Sequence, residues 1–425
     1  MNEPGAISSN ISNKPAHPII FFFFYIPFGI FTGYLTVTLA FHFVKSGISV
    51  QQVAGLAAVN LFPQVFKFIW APLVDTTFTV KRWYLFSTLI TAATIFITGI
   101  VPINSSNLFL FSCMILVSSF ARTFISAAIN GLAAYDTSPD FKGRVGGYCQ
   151  AGNLGGGIIG GSVGLWIAHY TQHMWIPSGA MALICVLCCA GLLFINEPIL
   201  TVKAGSIGKS VNNALKDVWL NLKTRRGLLA LILNLLPLGM GAAGYMFAAV
   251  AKDWKTGADT LAFLTLALGI ATIVGCLIGG WIADIINRQK AYVLFSLLQA
   301  ACAVGMALCP RVPLMFIIWT LAYALVNGFV NGAYSAFNLE ATGRGAAASK
   351  FELYASASYL PMLLMTWILG VSYTKWGASG MLNIEAVVGV VAAVIFYLVY
   401  VVIKNSKSIA MEVSPISTEA QQKSL

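Results

Sequence analysis

Arg122 is the residue of this 425-residue chain whose chemistry most needs an explanation. It stands inside an apolar stretch, 107–134, ~22 Å along a helix rising ~1.5 Å per residue. A guanidinium at that depth in hydrocarbon costs at least ~2.5–3.5 kcal/mol and faces a cavity or a partner. Ser118, Arg122, Ser126 and Asn130 recur every fourth residue, so one face of the helix is polar, as a cavity wall would be. A structural arginine resting on backbone carbonyls is the bland alternative, and it stays open. A matching stripe, Tyr323, Asn327 and Asn331, has the same spacing and continues into Tyr334 and Ser335.

Two acids pose a second question. Phe66-Lys67-Phe68-Ile69-Trp70-Ala71-Pro72-Leu73-Val74-Asp75 closes one apolar run, and Lys81-Arg82 open the next. Gly279-Gly280-Trp281-Ile282-Ala283-Asp284 closes a later one and is followed by Arg288 and Lys290. A carboxylate at the C-terminal end of its own helix meets the negative pole of the helix dipole. It is stable there if it faces a basic side chain or the N-terminus of another helix. Lys67 reads equally well as a lysine snorkelling to the interface or as a functional cation.

The elements that carry these residues are set by composition. The chain is 58% hydrophobic and 9% charged, with mean hydropathy +0.82, against about 25% charged residues in a soluble protein. Most of its surface must face lipid. A spanning helix needs ~20 apolar residues, and twelve runs qualify: 18–44, 50–74, 83–102, 107–134, 146–169, 174–195, 227–250, 259–283, 290–309, 312–337, 351–374 and 378–403. The first is too long for a signal-peptide core and has no basic leader, so it reads as a retained helix. With both termini inside, eighteen Lys/Arg fall on the inner side and five outside, which sets the orientation. The net charge of +11 sits in short gaps between runs, without aromatic platforms, so nucleic acid is not a partner. The eight cysteines lie in or at the ends of apolar runs and read as small buried hydrophobes. No metal-spaced cluster, nucleophile motif or phosphate-binding loop is present, so neither an enzyme, a metal site, a cofactor nor an ATP-driven pump is expected.

The two halves repeat. Pro27-Phe28-Gly29 with Gly33-Tyr34 is matched by Pro237-Leu238-Gly239 with Gly244-Tyr245, and Asn130-Gly131 by Asn331-Gly332. Six-helix repeats build many secondary transporters, with the solute site at the repeat interface. Run five carries Gly152, Gly156, Gly160 and Gly164 on one face, a surface for close helix contact that slides or rocks between states.

With these motifs the chain resembles the major facilitator superfamily. Gly279-Gly280-x-x-Ala283-Asp284-x-x-x-Arg288-x-Lys290 is similar to that superfamily's loop signature. Lys67-x-x-Trp70-Ala71-Pro72-Leu73-Val74-Asp75 resembles the branch of muropeptide permeases, acetyl-coenzyme A transporters and single-protein siderophore importers of the rhizobactin and pyochelin type. The length, stopping after run twelve, favours the last of these. The resemblance implies an all-α polytopic membrane protein of twelve transmembrane helices in two six-helix halves. The expected division is a cytoplasmic tail 1–17, halves at 18–195 and 227–403, a cytoplasmic loop 196–226 and a tail 404–425.

The resemblance further implies a bacterial inner-membrane importer, working by alternating access on a bulky solute. That solute is expected to be a siderophore or ferric siderophore; a muropeptide permease and a drug or metabolite exporter are the alternatives. Asp75 and Asp284, with Arg288, would latch the halves on the cytoplasmic side. The first, fourth, seventh and tenth helices would line the cavity. They add Tyr25, Thr32, Tyr34, Asn234 and Tyr245 to Arg122, Ser126, Asn130, Lys67 and the second stripe. Rings and amides suit a ligand with ring systems and amide or carboxylate groups, and any one of them is equally well a packing contact. Glu352, Glu385, Asp136 and His42 are the candidate proton carriers, none standing out. Protons, lipid and the solute are the expected partners of a monomer.

Overall fold

The computed structural model describes residues 16–171, 173–197 and 206–405. Most of the two expected tails and part of the central loop lie outside the described residues. Among the described residues the chain is helical, with no strand. Nine helices among the described residues are long and apolar enough to cross a membrane. The last of these, Ala347–Ile403, is two spans: Gly377, at φ 63° and ψ −168°, turns the chain between them. The remaining spans fail the simple length-and-hydropathy test for physical reasons. The fifth, 142–170, is continuous but rich in glycine. The seventh starts as Arg225–Leu235 and breaks at Leu236 to Gly241, where Pro237 lacks a backbone donor and Gly239 and Gly241 both take φ +66°. The result is a twelve-helix, two-half fold.

Local sequence sets the helix ends. Ser49 and Gln52 form a reciprocal capping box at the start of the second span, Val50–Phe66. Thr79 caps Val80–Ile100, and Asn287 caps Arg288–Leu308 through the amides of Gln289 and Lys290. The second span tightens into a 3-10 turn at Lys67–Ile69, beyond which Pro72–Thr76 forms one short further helix carrying Asp75.

Packing within each half relies on small residues. A Cβ on Gly156 would lie 2.3 Å from the Ile26 carbonyl, and one on Gly160 2.0 Å from that of Ile30, so the first and fifth spans touch backbone to backbone. In the second half, Gly275 and Gly328 bring the eighth span, Ala258–Ile285, and the tenth, Pro313–Thr342, equally close. Between the halves different glycines serve. Gly146 approaches the Ala336 amide, and Gly147 the Cys276 carbonyl. The glycine stripe at 152, 156 and 160 thus seals the first half, and the contact between halves falls one to two turns earlier in the same helix.

Part of the expected central loop is a helix. Ile207–Lys223 starts at a Ser206 cap and buries Ser210 and Ala214. Its Asp217 accepts from the Ala346 amide at 2.7 Å and pairs with Lys350 at 2.8 Å, while Asn221 donates to the Ala341 carbonyl and accepts from the Tyr354 hydroxyl. Ile207, Leu215 and Trp219 face outward.

Candidate functional site

The halves are joined at one end by two acid-to-helix contacts of the same kind. Asp75, beyond the second span, is buried and accepts from the Ala348 amide at 3.2 Å, the Ser349 amide at 2.8 Å and the Ser349 hydroxyl at 2.6 Å. These groups open the helix Ala347–Ala357 of the second half, whose first N–H groups have no intrahelical partner. Asp284 in turn accepts from the amides of Gly143 and Arg144 at 2.6 and 2.9 Å, at the start of the fifth span, and pairs with Arg288 at 3.1 Å. Each acid leaves the unfavourable pole of its own helix for the favourable pole of a helix in the other half. Burial pushes the Asp75 carboxyl up to about 6, the bonds from Ser349 and Ala348 and the nearby Lys350 opposing it. The Tyr135 hydroxyl with the Gly345 backbone, Lys142 with the Leu339 carbonyl, and Arg288 with the Pro139 carbonyl and Glu340 complete this end.

Just inside it lies a buried polar cluster that also crosses between the halves. Lys67 Nζ and Glu352 Oε2 are 2.5 Å apart, with both side chains almost wholly shielded. The other oxygen of Glu352 accepts from the Ser126 hydroxyl at 2.6 Å and the Asn130 amide at 3.2 Å. The Tyr25 hydroxyl closes the cluster on Asn130. Lys67 and Ser126 reach a cavity of about 280 Å³, which Tyr25, Phe28, Asn331, Tyr334, Tyr245 and Tyr359 also line. Two residues singled out separately in the sequence, one as a solute contact and one as a proton carrier, are thus partners.

Arg122 is buried behind the cavity wall. Its guanidinium donates to Asn60 Oδ1 at 2.9 Å and to Thr32 Oγ1 at 2.5 Å, and lies 4.2 Å over the Phe28 ring and 5.2 Å over that of Phe31. Its neighbours are therefore the first and second spans. Among the described residues no carboxylate lies within ion-pair distance of it. Of the tenth-span stripe, Asn331 reaches the cavity and donates to Asn327, while Tyr323 is buried and donates to Glu385 at 2.7 Å. Tyr34 meets Thr98 inside the first half, and Asn234 pairs with Asn338 inside the second. Asp136 accepts from the backbone and side chain of Asn196, tying the end of the fourth span to that of the sixth. His42 sits far along the first span beside Lys45 and His169, and its Nε2 has no partner. Asn60, Ser349, Tyr359 and Gln299 were not singled out in the sequence, because a lone polar residue in an apolar run does not say what it will meet.

The architecture defines a membrane transporter: two six-helix halves, latched at one end, with a polar cavity between them. The chain belongs to the Major Facilitator Superfamily, whose family model matches residues 19–366. Similar solved structures include the E. coli fucose:proton symporter, at 14% identity over 90% of this chain and 97% of that one, with a TM-score of 0.68. A human organic anion transporter is 14% identical over 89% and 98%, with a TM-score of 0.67. A proton:xylose symporter is 13% identical over 90% and 94%, with a TM-score of 0.63. No curated protein matches the sequence.

Proposed function

We propose that the protein carries a small organic solute through the cavity between its halves, coupled to a proton taken up at Glu352. The carrying observation is the Lys67–Glu352 pair, buried and crossing from half to half, with Lys67 on the cavity wall. A buried pair is tolerated while both charges are matched and becomes costly when one partner leaves. Parting the halves at the latched end separates them. A proton on Glu352 then removes one bare charge, and an anionic group of the solute at Lys67 compensates the other. The two proton symporters among the similar structures support this kind of coupling. The excess of Lys/Arg on the latched side supports a cytoplasmic position for that end and for both termini.

The motif from Lys67 to Asp75 supports a siderophore-type solute taken up across a bacterial inner membrane, and the rings and amides of the cavity are compatible with one. A second reading, a solute of sugar size, is favoured by the cavity of about 280 Å³, which is below the span common for drug-sized ligands. Purified protein in liposomes with an alkaline lumen tests coupling and solute together, using labelled ferric siderophores and monosaccharides. Glu352→Gln is expected to abolish accumulation against a gradient while solute exchange across the bilayer continues. Accumulation by Glu352→Gln equal to that of the native chain would refute the assignment.

A further inference from the structure

A second chamber lies within the second half, sharing Gly239 and Met240 with the wall of the central cavity. It is small, about 10 Å³, and is bordered by Glu385, Gln299, Ser296 and the broken part of the seventh span at Pro237 and Gly239. One oxygen of Glu385 accepts from the Tyr323 hydroxyl at 2.7 Å and from the Ala243 amide at 3.2 Å. The other oxygen is buried without a partner. Gln299 is 3% exposed; its side chain lies beside the Tyr323 hydroxyl, and its amide oxygen has no hydrogen-bond partner. Ser296 donates to the Tyr292 carbonyl at 2.7 Å, which leaves its oxygen free to accept. Gly239 brings the interrupted backbone against it, for a Cβ there would lie 2.4 Å from the Ser296 oxygen. Among the described residues no Lys, Arg or His lies within ion-pair distance of Glu385.

We infer that this chamber binds one small monovalent cation, sodium, between Glu385, Gln299, Ser296 and the break in the seventh span. Two deficits meet here, an unmatched carboxylate and an unsatisfied buried amide oxygen, and each is costly in a low dielectric. Protonation of Glu385 would remove the first and leave the second. A water would satisfy the amide and leave the charge. A bound cation answers both through oxygen ligands, and the volume suits a single water-sized occupant. Carbonyls of a broken membrane helix coordinate ions in transporters; here those of Leu236, Leu238 and Gly241 are already bonded, so Pro237 and Gly239, which border the chamber, are the ones placed to serve.

The test is thermal unfolding of the purified full chain in detergent, titrated with NaCl against choline chloride at constant ionic strength, together with equilibrium binding of labelled sodium. A saturable rise in Tm with sodium, absent with choline, is expected. Glu385→Gln and Gln299→Ala should each lower the apparent sodium affinity at least ~10-fold. Should Glu385→Gln not fold, Gln299→Ala carries the same comparison. Superimposable melting in sodium and choline, with no labelled sodium bound, would overturn the assignment. So would a sodium response kept in Glu385→Gln and lost in Glu352→Gln, which would move the ion to the other carboxylate. Neither readout depends on the identity of the transported solute, so failure here is distinct from failure of the coupling proposal.

Discussion

At Arg122 the guanidinium is held as a flat fork, bonded to Asn60 and Thr32 and resting on Phe28. A lysine keeps the charge and loses both the fork and the stacking plane. Arg122→Ala removes this bridge between the fourth, first and second spans and is therefore expected to lower stability by ~1–3 kcal/mol, with Arg122→Lys lowering it less and solute affinity little changed in either. Solute affinity measured beside Tm decides the matter: a large loss of affinity in Arg122→Ala at unchanged Tm would instead put the guanidinium on the solute. Asp75 permits a pH prediction. Its carboxyl stands at about 6 in the latched state because of burial, and returns toward ~3.9 once solvated. The latched state thus binds the extra proton, so its advantage grows as pH falls through 6 and is lost as pH rises through it. In a Glu352→Gln background, which removes the opposing proton uptake on opening, going from pH 7 to 5 should favour the latched state about tenfold, read as slower cysteine labelling at the latched end, and adding Asp75→Ala should remove the dependence. A deep arginine and an acid at the wrong helix end were legible from sequence. Their partners were not: Asp75 and Ser349 belong to opposite halves, as Arg122 and Asn60 belong to different spans, and spacing within one helix cannot name a neighbour on another.

Glycines of the fifth span serve two contacts, and the difference is testable at the level of the element. Gly146 faces Ala336 across the halves, whereas Gly156 faces Ile26 within the first half. Gly146→Val should hold the latched end apart, speeding cysteine labelling there while Tm changes little. Gly156→Val should instead lower Tm by separating the first and fifth spans, with no preference between the states. Equal effects of the two on both measurements would contradict this division of the helix. Long apolar runs made most of the fold legible, because hydrocarbon admits only segments that satisfy their own backbone. Where runs were interrupted, sequence was weaker. The helix Ile207–Lys223 went unseen because its apolar residues are dispersed among lysines and asparagines and become a face only once wound. The break at Leu236 to Gly241 lay hidden in a run that looked continuous, although Pro237 and two nearby glycines were its signal.

In the molecule as a whole the same device occurs twice, once from each half to the other. Asp75 holds the start of the eleventh span and Asp284 that of the fifth; alongside, Tyr84 donates to the Phe24 carbonyl and Tyr292 to that of Leu238. Two like contacts closing one equilibrium should act independently, since each bonds its own helix end and they share no partner. Effects of separated sites add in free energy when nothing couples them. Removing either carboxylate strands two backbone donors and forfeits charge-assisted bonds worth ~1.5–3 kcal/mol. Asp75→Ala and Asp284→Ala should each shift the population toward the unlatched form about tenfold or more, and the double variant should shift it by the product of the two. Spin labels across the latched end, read by pulsed electron resonance in lipid nanodiscs, give the populations directly. A double variant no more open than either single one would mean that one acid already releases the whole end. The second contact would then follow the motion of the halves without resisting it.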